Sequence, residues 1–430
     1  MGILQTLSQR WEGSSEPFLI RGDLEVTFSD IQNAQGVDLA DVNQGDVVAL
    51  IGDFEPNAII TLLRLIDLGV ILVPLTTDTA HQQDYLFDAA CVDVVIQDGV
   101  LTRRQVAERS LMVKELAEKG HAGLVLFSSG TTGKPKAILH DLEQFLQRYN
   151  TIRPTLRTIN FLLFDHIGGI NTLLHTLYNQ GVIIAPESRA VSDVLDACRK
   201  HDVELLPTTP TFLRMILISG ALEQDFPKSI KIVTYGTERM DQLTLSQLCE
   251  ALPEVDFRQT FGMSELGILR SKSEGRDSLF MKIGGEGVET KIEDGVLKIR
   301  SQTRMMGYMN APSPFDDEGW YNTKDLIETN GDYIKVTGRD SDVINVGGLK
   351  FMAADVETVA LGIPGVKMVK VEGKPNPITG QHVILTCELD KNLVTLEQVK
   401  GHLKDVLPNH MQPQRYKSGK VGVSHRFKRT

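Results

Sequence analysis

The chain has 430 residues, of which 41% are hydrophobic and 23% are charged, and its formal net charge is −11. The length predicts two or three domains, and the composition is that of a globular protein. The negative charge argues against a nucleic-acid-binding surface. The most apolar stretch, residues 58–75, is interrupted by Arg64 and Asp67, which argues against a stable membrane anchor.

The four cysteines, Cys91, Cys198, Cys249 and Cys387, lack the spacing of metal ligands. Scattered cysteines of this kind are typical of reduced thiols in the cytoplasm, where disulfides are rare. We therefore expect a cytoplasmic protein.

Short apolar runs alternate with amphipathic segments from about residue 46 onward. The runs that predict buried strands are "DVVALIG", "VILVPL", "VDVVIQD", "GLVLFSS", "TINFLLFD", "GVIIAPE", "ELLPTTP" and "KIVTYG". Amphipathic stretches such as "AVSDVLDACRKHD" lie between several of them. The alternation predicts an α/β fold of mostly parallel sheets covered by helices, in which ligands bind beyond the carboxyl ends of strands.

The pattern changes towards the C-terminus. Gly-rich turns and alternating apolar residues in "GGEGVETKIEDGVLKIRS" predict a β-rich subdomain over about residues 283–337. A mixed helix, turn and strand pattern follows "KVTGRDSDVINVGG". We expect a large N-terminal domain, residues 1–338, and a small mobile α+β C-terminal domain, residues 339–430.

The stretch "LVLFSSGTTGKPKAILH", residues 124–140, begins as a buried strand and continues as a loop of small polar residues with two lysines, Lys134 and Lys136. Small residues let backbone N–H groups approach a phosphate, and the lysines add positive charge. The loop is not a Walker A motif, because only two residues separate Gly130 from Gly133 and Pro135 follows the first lysine.

Other stretches carry residue types that nucleotide chemistry needs. His166 in "FDHIGGI" follows a predicted strand, although a lone histidine there is more often structural. Glu238 follows a Gly-Thr turn in "YGTERM". In "QTFGMSELG", Phe261 can lie against a base and Glu265 can hold magnesium, although Glu265 also suits the start of a helix.

The last two stretches precede the small domain. Asp325 in "GWYNTKDL" can accept hydrogen bonds from a ribose, although an Asp in a turn often bonds only its own backbone. In "GRDSDVINVGGLK", Arg339 can contact phosphate or sugar, and Gly347 and Gly348 permit close backbone approach. The alternative for this stretch is a charged, solvated hinge loop.

In this order along the chain, the stretches resemble those of the adenylate-forming superfamily. It includes acyl- and aryl-CoA synthetases, nonribosomal peptide adenylation domains and beetle luciferase, and the resemblance is greatest to the acid–thiol ligases. It implies a ligase that activates a carboxylic acid with ATP, forms an acyl-adenylate and pyrophosphate, and passes the acyl group to a thiol. ATP, magnesium, and CoA or the phosphopantetheine of a carrier protein are the implied cofactors.

The resemblance also implies roles for individual residues. The phosphates are assigned to the loop and its lysines. The adenine is assigned to Phe261 and to the turn residues Thr237 and Glu238. The ribose or α-phosphate is assigned to Asp325 and Arg339. Glu265 is assigned to magnesium and His166 to the gate between the acid pocket and the thiol tunnel, which Gly347 and Gly348 would line after the small domain rotates. The full set of nucleotide-binding and thiol-tunnel residues is Ser128, Ser129, Gly130, Thr131, Thr132, Gly133, Lys134, Lys136, Thr237, Glu238, Phe261, Gly262, Met263, Ser264, Asp325, Arg339, Gly347, Gly348 and Lys350.

The sequence departs from the family pattern at several of these positions. Lys324 stands where glycine commonly precedes the ribose Asp, Ser341 stands at the hinge in place of Asp or Lys, and Lys350 replaces a common Arg. The adenylation lysine has two candidates. Lys420 lies in "SGK", which imitates the usual Gly-Lys ending, whereas Lys428 has the expected separation from "MQP", with "KVGVSHRF" as the intervening strand. We favour Lys428, although Phe427 replaces the expected glycine.

The resemblance leaves the acid less defined. We expect a hydrophobic acid, aromatic or of medium chain length, because "FLLFDHIGGINTLL" is more similar to acyl and aryl acid ligases than to amino-acid-activating domains. In those domains a carboxylate grips the α-amino group, as Asp165 could. The alternatives are a ligase that loads only a carrier protein, an enzyme that stops at the acyl-adenylate, and a non-catalytic nucleotide-binding relative.

Overall fold

The computed structural model describes residues 2–33, 36–106, 108–128, 134–224, 226–424 and 426–428. Its strands, in chain order, are β1 (Pro17–Arg21), β2 (Leu24–Thr27), β3 (Val47–Ile51), β4 (Ile71–Leu75), β5 (Val94–Gln97), β6 (Val100–Arg103), β7 (Gly123–Ser128), β8 (Lys136–Asp141), β9 (Thr158–Ile159), β10 (Ile183–Ile184), β11 (Leu205–Thr208), β12 (Ile232–Tyr235), β13 (Asp256–Gln259), β14 (Phe261–Met263), β15 (Gly267–Ser273), β16 (Met281–Gly284), β17 (Val288–Glu293), β18 (Val296–Ser301), β19 (Gly307–Tyr308), β20 (Tyr321–Asn330), β21 (Tyr333–Arg339), β22 (Val343–Val346), β23 (Leu349–Met352), β24 (Val366–Asn376), β25 (Gly380–Leu389) and β26 (Arg415–Ser418).

The helices lie between these strands. They are α1 (Ile3–Arg10), α2 (Phe28–Asn33), α3 (Pro56–Leu68), α4 (Gln83–Ala89), α5 (Leu111–Lys119), α6 (Leu142–Leu146), α7 (Ile167–Tyr178), α8 (Val191–Lys200), α9 (Pro210–Ser219), α10 (Ala221–Gln224), α11 (Gln242–Ala251), α12 (Ala353–Leu361) and α13 (Leu396–Val406). Short 3₁₀ segments occupy Thr77–Gln82, Gln147–Tyr149 and Asp340–Asp342. Within the described residues, no helix is long and apolar enough to cross a bilayer.

The strands form two sheets with parallel centres, called the parallel sheets below, and two mostly antiparallel sheets. The first parallel sheet has the order β13-β12-β11-β9-β10-β1-β2, and the second has the order β19-β8-β7-β4-β3-β5-β6. In the second parallel sheet, β7, β4, β3 and β5 are parallel, whereas the pairs β19–β8, β8–β7 and β5–β6 are antiparallel. The antiparallel sheet has the order β14-β15-β16-β21-β20-β18-β17. In the C-terminal sheet the order is β23-β22-β25-β24, with β26 parallel to β25. The predicted fold class is confirmed: helix-covered parallel sheets are joined to a β-rich sheet and a smaller C-terminal α+β unit.

The largest buried cluster joins the two parallel sheets through helices. It contains Leu19 of β1, Leu50 of β3, Leu63 of α3 and Leu173 of α7. Burying a side chain of this size contributes about 1.5–3 kcal/mol relative to exposure. The carboxyl ends of β11 and β12 are thereby fixed relative to the hairpin of β7 and β8.

Two predicted strands are shorter than expected. The run "TINFLLFD" forms only the two-residue β9, because the chain then turns sharply into α7. At Gly169, a side-chain Cβ would lie 2.1 Å from the carbonyl oxygen of Leu163, so only glycine permits this turn. The expected strand over "KVGVSHRF" is likewise absent from its described residues. The last strand, β26, ends at Ser418, which pairs with Cys387 of β25.

The C-terminal unit contacts the first parallel sheet through α9 and α11. Arg214 of α9 donates hydrogen bonds to the carbonyl oxygens of Lys367 (3.0 Å) and Val366 (3.3 Å). Leu243 of α11 packs against the hydrophobic core of the unit. Its own core lies between the C-terminal sheet and helices α12 and α13.

Candidate active site

A cleft of about 1520 Å³ opens where the sheets and the C-terminal residues meet. Residues from distant parts of the sequence line it, among them Ser128, Lys136, His166, Thr237, Glu238, Phe261, Gly262, Met263, Ser264, Glu265, Asp325, Arg339 and Lys428. Each of these was singled out from the sequence. They converge because β7, β11 and β12 end at this cleft and the antiparallel sheet forms its opposite side.

The candidate phosphate loop connects β7 to β8, which are antiparallel and pair Ser128 with Lys136. A Walker A loop instead connects a strand to a helix, so the loop differs in architecture as well as in spacing. Lys136 Nζ lies 4.7 Å from the ring centroid of Tyr308, at the cleft, whereas Lys134 is exposed. The predicted phosphate ligands Ser129, Gly130, Thr131, Thr132 and Gly133 lie outside the described residues.

Glu265 is buried, with only 7% of its surface exposed, and its carboxylate is held in place. The Tyr308 hydroxyl donates a 2.8 Å hydrogen bond to Oε1. Burial and the neighbouring carboxylate raise the pKa of Tyr308 and of Tyr321, so both hydroxyls keep their protons at neutral pH. Glu265 follows β14 in a turn rather than starting a helix, which removes the helix-start alternative.

The main chain around Glu265 is also fixed. Nε2 of His140 donates to the Ser264 carbonyl oxygen at 2.6 Å, and the Met305 N–H donates to the Glu265 carbonyl oxygen at 2.8 Å. Burial, assisted by the Arg148 guanidinium, lowers the pKa of His140 to about 4. His140 is therefore neutral at physiological pH and serves as a hydrogen-bond donor.

The donor set fits magnesium bound together with phosphates. Among the described residues, no three or more His, Cys, Asp or Glu side chains are grouped as a metal site. Magnesium commonly takes one or two carboxylates and completes its shell with water and substrate phosphates. A single immobilised carboxylate, Glu265, suits that mode of binding.

Asp325 and Arg339 face each other across β20 and β21. Arg339 Nε lies 3.1 Å from Asp325 Oδ1, and Asp325 is only 6% exposed whereas Arg339 is exposed. Burial raises the pKa of Asp325, and the guanidinium of Arg339 opposes that rise. The pair presents an acceptor and a cation side by side, as a ribose phosphate requires.

Two residues that line the cleft, Lys324 within β20 and Thr237 after β12, are backbone outliers. Lys324 has φ +61° and Thr237 has φ +71°, in the left-handed region that favours glycine. The hydroxyl of Thr237 is buried without a hydrogen-bond partner, which leaves it available to a ligand. Its neighbour Glu238 accepts a 2.7 Å hydrogen bond from the Thr211 N–H in the first turn of α9.

His166 is the N-cap of α7 and is 9% exposed. Its Nδ1 accepts a 3.0 Å hydrogen bond from the Gly168 N–H, which orients the ring at the border of the cleft. The preceding residue, Asp165, is paired with Arg426 at 2.9 Å. This cationic partner competes with the α-amino group of an amino acid for the carboxylate, although Oδ1 has no hydrogen-bond partner in the protein.

The two candidate lysines lie in different surroundings. Lys428 is partly buried and lines the cleft, whereas Lys420 is exposed and does not line it. Burial, together with the Arg426 and Arg339 guanidinium groups, lowers the pKa of Lys428 to about 8, although Glu238 opposes the shift. This geometry favours Lys428 as the lysine that meets the reacting groups.

Four predicted residues within the described part of the chain are not among those that line the cleft. One is Lys134, which is exposed just before β8. The other three belong to the small domain. Gly347 and Gly348 form the exposed turn between β22 and β23, with φ +63° and +89°, and Lys350 is exposed on β23. Their assigned roles remain predictions that require a rotation of the small domain.

Sequence reasoning missed the groove that extends the cleft between α7 and the first parallel sheet. One side presents Asn171, Thr172, His175 and Thr176 of α7, and the other presents Leu205, Pro207, Thr208, Ile232 and Thr234. Thr208 Oγ1 is buried and has no hydrogen-bond partner. The spacing of Gly168, Thr172 and Thr176 in α7 was the available signal, because residues four apart share a helix face.

Comparison with known proteins places these observations in a family. The model of the AMP-binding enzyme family matches residues 31–308. The long-chain-fatty-acid–CoA ligase FadD13 of Mycobacterium tuberculosis is 23% identical over 313 residues, which cover 68% of this chain and 62% of that protein. The medium/long-chain-fatty-acid–[acyl-carrier-protein] ligase FadD10 of the same species is 25% identical over 348 residues, which cover 70% of this chain and 64% of that protein. The chain thus matches less than two thirds of the length of these relatives.

A solved structure extends the likeness in fold over nearly the whole chain. The o-succinylbenzoate CoA synthetase MenE from Bacillus subtilis, in complex with the acyl-adenylate intermediate OSB-AMP, aligns with a TM-score of 0.77 and 21% identity. The alignment covers 99% of this chain and 96% of that one. The fold is therefore shared across both the parallel sheets and the C-terminal unit. Because the family model spans more than half of the chain, this protein belongs to the AMP-binding enzyme family.

Proposed function

We propose that this protein activates a carboxylic acid with ATP to form an acyl-adenylate and then transfers the acyl group to a thiol. The proposed thiol acceptor is CoA. The observation that carries the proposal is the convergence in one cleft of Glu265, the Asp325–Arg339 pair and Lys428. These groups come from separate segments, and together they supply what adenylation needs.

Adenylation brings two anions together, because a carboxylate oxygen must attack the α-phosphorus. The new P–O bond to the acid forms as the bond to pyrophosphate breaks, and negative charge accumulates on the phosphoryl oxygens. Lys136, Arg339 and Lys428 supply positive charge at the cleft to stabilise that transition state. Magnesium held by Glu265 would add Lewis-acid stabilisation of the same charge.

The nucleotide would be held by residues with defined surroundings. Asp325 would accept hydrogen bonds from the ribose, and Thr237 and Phe261 would border the adenine. The buried, unpartnered hydroxyl of Thr237 supports a polar ligand at that place. The phosphates are assigned to the β7–β8 loop with Lys134 and Lys136.

The second half-reaction would use the same cleft. A thiol sulfur attacks the acyl carbon, and AMP leaves with the electrons of the broken mixed-anhydride bond. His166, at the border of the cleft, is proposed as the gate between acid and thiol. We propose that residues 339–430 rotate between the half-reactions about the segment Gly338–Ser341, with Gly347 and Gly348 then lining the thiol path.

The acid is proposed to be hydrophobic, aromatic or of medium chain length. Leu205, Pro207 and Ile232 provide apolar surface in the groove beside α7. The unpartnered Thr208 hydroxyl in the same groove favours an acid with at least one hydrogen-bonding substituent. For the acceptor, a carrier-protein phosphopantetheine is the second candidate, because FadD10 is named as an acyl-carrier-protein ligase.

We also propose a cytoplasmic location. ATP and CoA are available there, and all four cysteines are free thiols, as expected in a reducing compartment.

The test is ATP–pyrophosphate exchange with a panel of aromatic and aliphatic acids, with and without magnesium. We expect acid-dependent exchange that requires the metal, followed by thioester formation when CoA or a carrier protein is added. Folded protein that binds ATP but exchanges with no acid would contradict the ligase function and favour a non-catalytic nucleotide-binding relative. Exchange without thioester formation would favour an adenylation-only enzyme.

A further inference from the structure

Phe427, immediately before the candidate adenylation lysine, has φ +52°. This left-handed conformation is unfavourable for a residue with a Cβ and is uncommon outside glycine, Asn and Asp. A strained residue persists only where its surroundings hold it. The contacts of Phe427 and Arg426 therefore indicate what fixes Lys428 in the cleft.

Phe427 is held by an aromatic cluster. Its ring centroid lies 4.9 Å from that of Phe161 and 5.7 Å from that of Phe212, which it meets edge to face. The Thr209 hydroxyl donates a 2.9 Å hydrogen bond to the Phe427 carbonyl oxygen. Aromatic pairs at these distances attract beyond simple area burial, so they offset part of the backbone strain.

Arg426 is held by a second, polar anchor. One guanidinium nitrogen donates to Asp165 Oδ2 at 2.9 Å, and the other donates to the Phe127 carbonyl oxygen at 3.0 Å. The Asp165 side chain is only 3% exposed and that of Arg426 is 18% exposed. Removing one partner of such a buried pair leaves an uncompensated charge, so release of Arg426 would leave the Asp165 carboxylate without its cation.

The docked residues also pack against one side of His166. A small cavity of about 10 Å³ remains between Phe161, Leu162, Leu163, His166, Thr237, Arg426 and Phe427. A cavity of that size holds no more than about one water molecule. Arg426 and Phe427 thus pack closely on this side of His166, while another part of the ring borders the large cleft.

We propose that Arg426 and Phe427 form a latch, which docks on Asp165 and the Phe161–Phe212 pair and thereby holds Lys428 in place for adenylation. Arg426, Phe427 and Asp165 are positioning residues, since they act through Lys428. The inference rests on the proposed function and goes beyond it, because it names the contacts that hold the adenylation lysine in the cleft.

The first test separates the half-reactions. Asp165→Asn and Arg426→Ala should lower kcat for acid-dependent pyrophosphate exchange by about 10- to 100-fold, since a mispositioned catalytic group commonly costs that much. The KM for ATP should change little, and thioester formation from supplied acyl-adenylate should stay at or above the wild-type rate. Arg426→Lys should recover part of the pyrophosphate-exchange rate. The double variant Asp165→Arg with Arg426→Asp, in which the two charges swap places, should have a higher pyrophosphate-exchange rate than either of its single variants.

The controls exclude a purely structural role. Arg415→Ala changes an exposed arginine of β26 and should leave both half-reactions unchanged. Thermal midpoints of all variants report folding. Equal losses in both half-reactions, or no loss in either, would overturn the latch.

A second readout does not depend on activity. Trypsin cleavage after Arg426 and Lys428, followed by mass spectrometry of the whole chain, should be at least ~5-fold faster in Asp165→Asn than in wild type, because cleavage requires local release of the latch. Equal cleavage rates would overturn the latch. Absence of exchange in the wild type with every acid would instead overturn the proposed function, while proteolysis would still decide whether these residues are latched.

Discussion

Tyr308 donates a 2.8 Å hydrogen bond to Glu265, and the same tyrosine ring lies 4.7 Å from Lys136 Nζ. One side chain thus connects the candidate magnesium ligand to a candidate phosphate-binding lysine. The raised pKa of Tyr308 keeps its hydroxyl protonated, so it remains a donor to the carboxylate. The arrangement fixes the distance between a negative and a positive group on either side of the expected phosphates.

This relationship predicts different effects for two substitutions. Glu265→Gln keeps the shape but removes the charge, so we expect adenylation to slow at least ~100-fold because the metal loses its carboxylate. Tyr308→Phe removes only the hydrogen bond and should slow adenylation by roughly 10-fold or less. Pyrophosphate exchange at varied magnesium measures both, and the loss in Glu265→Gln should not be recovered by extra metal. If Glu265→Gln exchanges pyrophosphate at the wild-type rate, Glu265 has only a structural role.

The two lysines near the C-terminus give a second prediction. Lys428→Ala should abolish detectable exchange, while thioester formation from supplied acyl-adenylate largely survives, because this lysine is needed only while charge builds on the phosphoryl group. Lys420→Ala should be near wild type in both assays, because Lys420 is exposed and does not line the cleft. If Lys420→Ala is the variant that loses exchange, the assignment of the adenylation lysine is reversed.

His166 is both the N-cap of α7 and the proposed gate between acid and thiol, and two substitutions separate these roles. His166→Ala removes both, with an expected loss of about 1 kcal/mol from the missing cap. His166→Asn retains a side chain that is favourable at an N-cap. We expect both variants to lose thioester formation more than adenylation, and only the Ala variant to lose stability. A defect in thioester formation that occurs only in His166→Ala would mean that His166 acts only as an N-cap.

How much of the site the sequence predicted depends on how local each signal is. Glu265 and Asp325 lie in compact motifs, so their neighbours along the chain identify them, and both line the cleft. The Asp165–Arg426 pair spans 261 residues and leaves no local pattern. Its partners are brought together by the sheet and the docked C-terminal residues, which no periodicity reports.

The fold shows the same division. Buried parallel strands such as β3 and β4 follow directly from continuous apolar runs. The sequence could not show that "TINFLLFD" would leave the sheet after two residues, because that depends on the close packing of Gly169 against the preceding carbonyls. The left-handed φ of Lys324 and Phe427 was also hidden, although both stand where the family commonly has glycine. Both positions therefore keep a backbone conformation that suits glycine, and at Phe427 the aromatic cluster holds it.

His140 predicts a loss of stability in acid. Its folded-state pKa is about 4, below the ordinary value of 6.5, so between these values the unfolded chain binds more protons than the folded one. Stability should therefore fall as the pH drops from about 6.5 to 4, by up to about 3 kcal/mol from this group.

The matched variant is His140→Gln, which keeps a donor for the Ser264 carbonyl but does not titrate. Thermal midpoints measured from neutral pH down to about pH 4 should fall less steeply in His140→Gln than in wild type. The remaining slope would come from other groups such as His175, whose pKa burial also lowers. Parallel slopes in the two proteins would contradict the assignment to His140.

The final prediction concerns the pH dependence of adenylation. Lys428 acts while protonated, and its pKa of about 8 means that the charge is lost as the pH rises through that value. Because kcat/KM reports the free enzyme, kcat/KM for exchange should fall on the alkaline side with a midpoint near 8. Lys428→Arg retains a charge at all accessible pH values and should flatten this limb, whatever its effect on the maximal rate. Glu238→Gln keeps the acceptor for the Thr211 N–H but removes the carboxylate that raises the pKa of Lys428, so the midpoint should move to lower pH. An unchanged alkaline limb in both variants would assign the titration to another group and remove Lys428 from the charged transition state.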